Sequence, residues 1–598
     1  MLVCQITALN VLLLPNLATA QVSADGLRTR VNGSAYGTCV SGNCAISGGS
    51  RTSQNLLHRL KAFDTRKGIN KVKIDTQGLK NVVVGVTSEL GTFLNKPLDL
   101  SSPANLFWLS PGGIWVGNGA RVSNVNNLLF TTAIGMKIGS KTFNVFNTRT
   151  SDINSFNQSP NLNFDELGNP EVDLSSLGLF GNGSIHFEGG QIAVDRHLLV
   201  NATAGNLSSV SGYGTQLQAG LSVWLSGHQI DLQDISISAG EPGRWGLVNV
   251  LGVPFQDISQ QGAIHLDGAF LKGQQLWLSA GSISLNRSQL LAPKGWIQLI
   301  ANDASDPIKT LKISGSILDV SAYSLKDLNA PALIKGSLQS DPLGEQSIRL
   351  SYPRIGLFSK GDISISRDTL LNASSDVSFF QDNLSTPTKL DIYSLADRSG
   401  IVLLNAEGKI SVNSSAVNVD SSHSKAGYIF LLANGPEDRG GIFLDNSELL
   451  ARSGAGDGRI NLKSSGGITL NSSVIDVTSN KYPIVKGQTF DLLDLKPYGS
   501  EEFLAQPYTF KAGSIFIVNN SISNSISLDN TNLIAGQTRS GGGLESPLLG
   551  FREVLGANNY KGKFGTFGKE DSFSIGFDFN TGGKISCILR VESILLIQ

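Results

Sequence analysis

A short template that returns seven times constrains this chain more than any other feature. Ile230 and Leu232 are followed at +7 by Ile237. Ile283 goes with Leu285 and Leu290, Ile363 with Ile365 and Leu370, and Ile410 with Val412 and Val417. Ile442, Leu444 and Leu449 repeat it, as do Ile468, Leu470 and Ile475, and Ile526, Leu528 and Leu533. Apolar residues two apart point to the same side of a strand. The +7 position has the opposite parity, so a corner must lie between. Each copy therefore reads as strand, bend, strand around one core. In five copies the +3 residue is Asn286, Asn413, Asp445, Asn471 or Asp529. Asn and Asp tolerate the left-handed region and bond their own backbone, so they are expected to make the bend. Stacked copies would align them as a ladder. The expected fold is all-β: a right-handed parallel β-helix with an N-terminal cap and loop or hairpin insertions. A sandwich or propeller is the rival, but neither calls for one recurring corner.

The copies are unevenly spaced, which predicts degenerate coils and inserted loops, with candidates at 301–310, 329–346 and 479–508. Loops tolerate such growth because closure entropy rises slowly with length. At about 25 residues per coil and ~4.8 Å per rung, the mature chain would form a rod of roughly 110 Å. Helical spacing is rare. Leu56, Leu57, Leu60 and Phe63 fit one helix face and predict a helix over 53–63.

Charged residues are 16% of the 598 and the formal net charge is −1, so a basic footprint for nucleic acid is missing. Residues 1–20 carry an apolar core from Ile6 to Leu14 and end in Ala18-Thr19-Ala20 before Gln21, which predicts a cleaved secretory signal. Cys39 and Cys44 are close enough for a small-loop disulfide in an oxidising compartment, with metal ligation as the weaker alternative. Cys4 falls in the signal and Cys587 is left over. The last residues, ISCILRVESILLIQ, offer no polar closing coil. That predicts either a truncated passenger or a final strand held by something else.

Residues 32–140 add a resemblance. The blocks are Asn55-Leu56-Leu57-His58 with Phe63-Asp64, the run Val82 to Thr87, and Asn105 to Gly117 with Leu106 and Ser110-Pro111-Gly112-Gly113-Ile114. In this order behind a signal, they resemble the haemagglutination-activity domain of filamentous haemagglutinin, the N-terminal secretion domain of two-partner secretion exoproteins. The family's Asn-Pro-Asn-Gly-Ile motif stands here as Ser110 to Ile114, and its separate Asn-Pro-Asn-Leu motif is absent. The resemblance implies a secretion domain at 21–170 and a β-helix passenger at 171–598. It implies recognition by an outer-membrane β-barrel transporter with periplasmic repeat domains. It also implies an adhesin-like product, secreted or displayed at the surface of a Gram-negative-type bacterium. The ligand, a host surface or a glycan, is left open, and a monomeric rod is expected.

At the Ser110 corner, Pro111 sets φ for position i+1 of a type II turn and Gly112 is expected to supply positive φ at i+2. Leu106, Trp108, Ile114 and Val116 would face the core, while Phe107 and Trp115 would face a capping strand or extra-helical hairpin. A secreted carbohydrate-active enzyme is the competing function, since β-helices carry lyases and hydrolases. It needs clustered carboxylates, and the acidic residues here are scattered. The six histidines, His58, His186, His197, His228, His265 and His423, show no metal spacing. Ala455 to Gly458 and Asp195 to His197 read as turns. No catalytic residue and no cofactor are expected.

Overall fold

The computed structural model describes residues 21–160, most of 183–480 and 513–534, and short strands elsewhere. The leader at 1–20, with Ala20, lies outside the described residues, as do Cys4, His423, the 455–457 turn and most of the candidate insertions. Each coil contributes strands to three faces. One coil supplies Gln275–Ala280 to face A, Ser282–Asn286 to face B and Gln289–Leu291 to face C. Each pairs in parallel with its counterpart in the next coil: Trp296–Ala301, Leu311–Ser314 and Ile317–Asp319. This is a parallel β-helix.

The repeated template occupies faces B and C. Ile230, Ile264, Ile283, Leu311, Ile363, Ile410, Ile442, Ile468 and Ile526 are successive partners in one inward column. The seven copies are thus nine rungs, with those of Ile264 and Leu311 added. Their side chains are 0–4% exposed and belong to one apolar interior running from Val22 to Leu533. Burying each such side chain contributes about 1.5–3 kcal/mol over leaving it in water.

Two details of the template need correction. The left-handed residue sits at +4, not +3: Asp234, Arg287, Ser414, Asn446, Ser472 and Asn530 have φ of 45–48°. Asn286, Asn413, Asp445 and Asn471 at +3 end their face B strands, and the +3 column supplies the ladder instead. Asn286 donates to Asp267 Oδ1 at 2.7 Å, and Asn471 donates to Asp445 Oδ1 at 2.6 Å. In the Ile363 copy, Arg367 and Asp368 are both left-handed. The extra residue moves the inward position from Leu370 to Leu371.

Sequence reasoning also missed the residue that closes the corner. Ser288, Ser415, Ser447, Ser473 and Thr531 lie at +5 and are buried. Each hydroxyl donates to the carbonyl two residues back at 2.8–3.1 Å, while the N–H groups of Ser415 and Ser447 reach the hydroxyl of the next rung. A buried hydroxyl left unpaired is costly, so this column satisfies itself along the axis.

On face A, fifteen strands from Asn55–Asp64 to Lys584–Leu589 follow one another. At ~4.8 Å per rung these described strands span about 67 Å, against the roughly 110 Å expected if every ~25 residues of the mature chain made a coil. Cys587 is in register with Ile517.

The expected helix over 53–63 is a strand, Asn55–Asp64. Leu60 joins the inner core and Leu56 is buried in register with Val82, while Leu57 joins a second apolar cluster outside the coil. A strand buried on both faces carries a near-continuous apolar run, which imitates helical spacing. Phe63 returns inward because its pairing with the cap shifts register between Ser23 and Ala24.

Candidate functional site: the N-terminal cap and its corner

The cap closes the first rung with antiparallel strands. Val22–Ala24 pairs with Thr38–Cys39 and with Asn55–Asp64, and Thr29–Val31 pairs with Gly42–Gly48. Gln21, the residue after the expected cleavage point, accepts the Asp64 N–H at 2.9 Å. Cys39 and Cys44 form a disulfide within this cap, with Cα atoms 5.8 Å apart. Growth of the sheet past this end would meet a strand of the wrong direction.

The outward edge of face A carries an amide ladder that joins two of the motif residues. Asn127 donates to Asn105 Oδ1 at 2.7 Å, Asn105 to Asn81 at 2.9 Å, and Asn81 to Asn55 at 2.9 Å. Asn55 passes its own N–H to the carbonyl of Gln158 at 2.6 Å. The first four rungs and the 133–160 insertion are thereby tied at one column. That insertion holds a hairpin, Gly135–Ile138 with Lys141–Asn144, and a short 3-10 turn, Thr150–Ser155. Its Met136, Phe143, Ile153 and Phe156 cover Leu57, Phe107 and Leu129. The expected outward hairpin contact therefore holds for Phe107. It does not hold for Trp115, which is 38% exposed and stands between Phe93 and His186 at 6.1 and 4.9 Å.

Inside the coil the remaining motif residues converge. Leu56 and Leu106 are fully buried and stack through Val82. The Phe63 ring meets Trp108 edge-on at 4.6 Å, a geometry aromatic pairs prefer. Trp108 Nε1 donates to Thr92 Oγ1 at 2.9 Å, Thr92 to Ser110 Oγ at 3.0 Å, and Ser110 to the Gly113 carbonyl at 2.8 Å. Ser110 is thus a node in a closed, buried relay. Ile114 and Val116 continue inward on the next strand.

The corner differs from its expected form. Gly113 donates its N–H to the Ser110 carbonyl at 2.9 Å, so the turn closes around Pro111. The positive φ belongs to Gly113, at 104°, and Gly112 is outside the left-handed region, so the turn is not type II. Gly112 is required for another reason. A Cβ there would lie 2.4 Å from the Ser88 carbonyl and 2.5 Å from the Gly91 nitrogen of the preceding coil.

His58 is the anomalous member. It is wholly buried, its two ring nitrogens have no hydrogen-bond partner, and Gly49 lies against the ring. Burial pushes its pKa down to about 4, with only slight opposition from Asp75. The folded cap therefore binds fewer protons than the unfolded chain below the usual histidine value. Its stability falls as pH drops from about 6.5 towards 4, by about 3 kcal/mol over the whole window. We expect His58→Leu to remove that slope, read as cap amide exchange at pH 7 and pH 5. An unchanged slope would assign the effect to another group.

Among the described residues no cluster of three or more His, Cys, Asp or Glu could hold a metal ion. His186 and His197 each sit against a serine hydroxyl of the next rung, Ser211 at 2.9 Å and Ser222 at 2.7 Å.

No family model matches the chain. No curated protein matches it either. Among solved structures, the HMW1 secretion domain from Haemophilus influenzae is similar over 83% of this chain and 94% of its own, at 11% identity and a TM-score of 0.29. At those values the likeness carries none of the reasoning that follows.

Proposed function

We propose that the N-terminal region, 21–170, is the export-recognition segment of a two-partner-secretion exoprotein, and that the rod is its adhesin-like passenger, secreted or held at the cell surface. The partner in this reading is an outer-membrane β-barrel transporter with periplasmic repeat domains. One observation supports it above the others. The blocks that carry the family resemblance are far apart in the chain, yet they meet in a single unit, with Phe63 on Trp108 and the relay through Thr92 and Ser110. A segment read as an unfolded signal by the transporter would, once across, close into the first rungs. Later coils contact mainly their neighbours, so they can add one at a time. The antiparallel cap prevents growth in the other direction. Export then has a direction without nucleotide.

We take the passenger to act by binding rather than by catalysis. In the passenger, Asp267 and Asp420 are each engaged by an arginine, Arg287 and Arg452. Deleting 21–170 is expected to leave the passenger inside the cell envelope when the transporter is co-expressed, measured by immunoblot of medium and periplasm. Undiminished release of the deleted chain would overturn the proposal.

A further inference from the structure

Face A differs from its neighbours along the rod. Its eight strands from Leu247–Gly252 to Ser514–Asn519 contain no Asp or Glu. Their charged residues are Arg354, Arg459 and Lys463, all cationic. Face B over the same rungs carries both signs, Asp267, Asp445 and Asp529 beside Lys312 and Lys409. The remaining outward positions of face A mix aromatic and aliphatic side chains with the uncharged Asn249, Gln275, Ser279, Gln298, Asn405, Asn461 and Ser514. Trp277, Ile300, Phe358, Tyr428, Phe430 and Phe516 all lie there and are partly exposed. Rings associate both between rungs, Trp277 with Trp296 at 6.1 Å, and within one strand, Tyr428 with Phe430 at 6.0 Å. Two cations lie over rings of adjacent rungs, Arg354 over Trp296 at 5.6 Å and Arg459 over Phe516 at 4.8 Å.

We propose that this stripe of face A is a docking surface for an anionic lipid bilayer, which would retain the rod peripherally at a membrane. Three physical points choose that occupant. The charge is of one sign, so the partner is anionic, and a second copy meeting this face with its own would set like charges together. Trp and Tyr with Arg and Lys are the side chains that settle at a lipid–water boundary, where rings and stems enter and cations meet headgroups. The surface repeats from rung to rung over about 34 Å at ~4.8 Å per step. A repeating stripe has no unique anchor and fits a partner without fixed register, which a lipid surface is and a folded protein is not.

The test uses the full chain and vesicles, and does not depend on the export route. Flotation with phosphatidylglycerol vesicles is expected to recover the protein, and neutral phosphatidylcholine vesicles are expected to recover much less. Arg459→Glu with Lys463→Glu, both at exposed positions, should lower partitioning by at least roughly tenfold. Phe358→Ser with Phe430→Ser should lower it as well, with circular dichroism confirming the fold. Equal flotation with neutral vesicles, or none with anionic ones, overturns the proposal. So does salt-insensitive dimerisation through this face, or capture by an acidic protein with no vesicle binding.

Discussion

Trp108→Ala is expected to weaken the N-terminal cap by about 3–5 kcal/mol, the range for removing a large aromatic side chain from a packed core. Trp108 is 1% exposed, between Val84 below and Phe130 above in the inward column, with Phe63 on its edge. Its loss opens a cavity and takes away the donor that Thr92 accepts. Trp108→Phe fills most of the cavity and should cost much less, chiefly the hydrogen bond, about 1 kcal/mol. Because a solenoid's stability is a sum of neighbouring terms, the damage should stay local. Native-state amide exchange is the suitable reading. Amides of the first four rungs should lose protection, and those between 401 and 476 should keep it. Uniform loss over the whole rod would mean that the coils do not behave as near-neighbour units.

Removing Arg452 should cost a similar amount at the other end of the molecule. Its guanidinium donates to Asp420 Oδ2 at 2.9 and 2.6 Å, and its own N–H donates to Oδ1 at 2.7 Å. Both side chains are nearly buried, at 10% and 13% exposure. Arg452→Met leaves the Asp420 carboxylate desolvated and without that partner, which costs about 3–5 kcal/mol. Removing both groups, as in Asp420→Leu with Arg452→Met, should cost less than the single change. Urea unfolding followed by amide exchange around 416–452 checks both variants. If the double variant were the weaker, the pair would be a net stabiliser rather than a burial that each partner makes tolerable for the other.

The rod was legible because its inward columns are homogeneous. Ile or Leu at two positions, then a bend, is a pattern few other folds require. The rungs of Ile264 and Leu311 obey it too, but their uneven spacing hides them in the sequence. Earlier rungs are harder to see. Gly212 holds an inward position with no side chain at all, since a Cβ there would come within 2.7 Å of Phe187 Cβ in the rung before. Large and small residues are matched across rungs, and one rung's sequence does not show that.

The corner misled in a different way. Asn and Asp were visible at +3, but the chain turns at +4, where the residues vary from Ser472 to Arg287. The fixed element is the buried hydroxyl at +5, which bonds back across the bend. In the cap, Leu57 and Phe107 serve a second core outside the coil, so the strand over 55–64 lost the alternation that would have marked it. The glycine requirement at 112 comes from a loop two dozen residues earlier in the chain. No local rule could place it.

Distances along one outward column test the central claim, stacking in register, most directly. His186, Ser284 and Thr469 lie in the same column of face B, four rung steps separating the first two and five the last two. Spin labels at Ser284 and Thr469 should lie about 24 Å apart, and labels at His186 and Thr469 about 43 Å, on ~4.8 Å per rung. A separation that grows with rung number in that ratio is the expected result. Two similar distances, or a shorter one for the pair farther apart in rungs, would contradict the stacked coil.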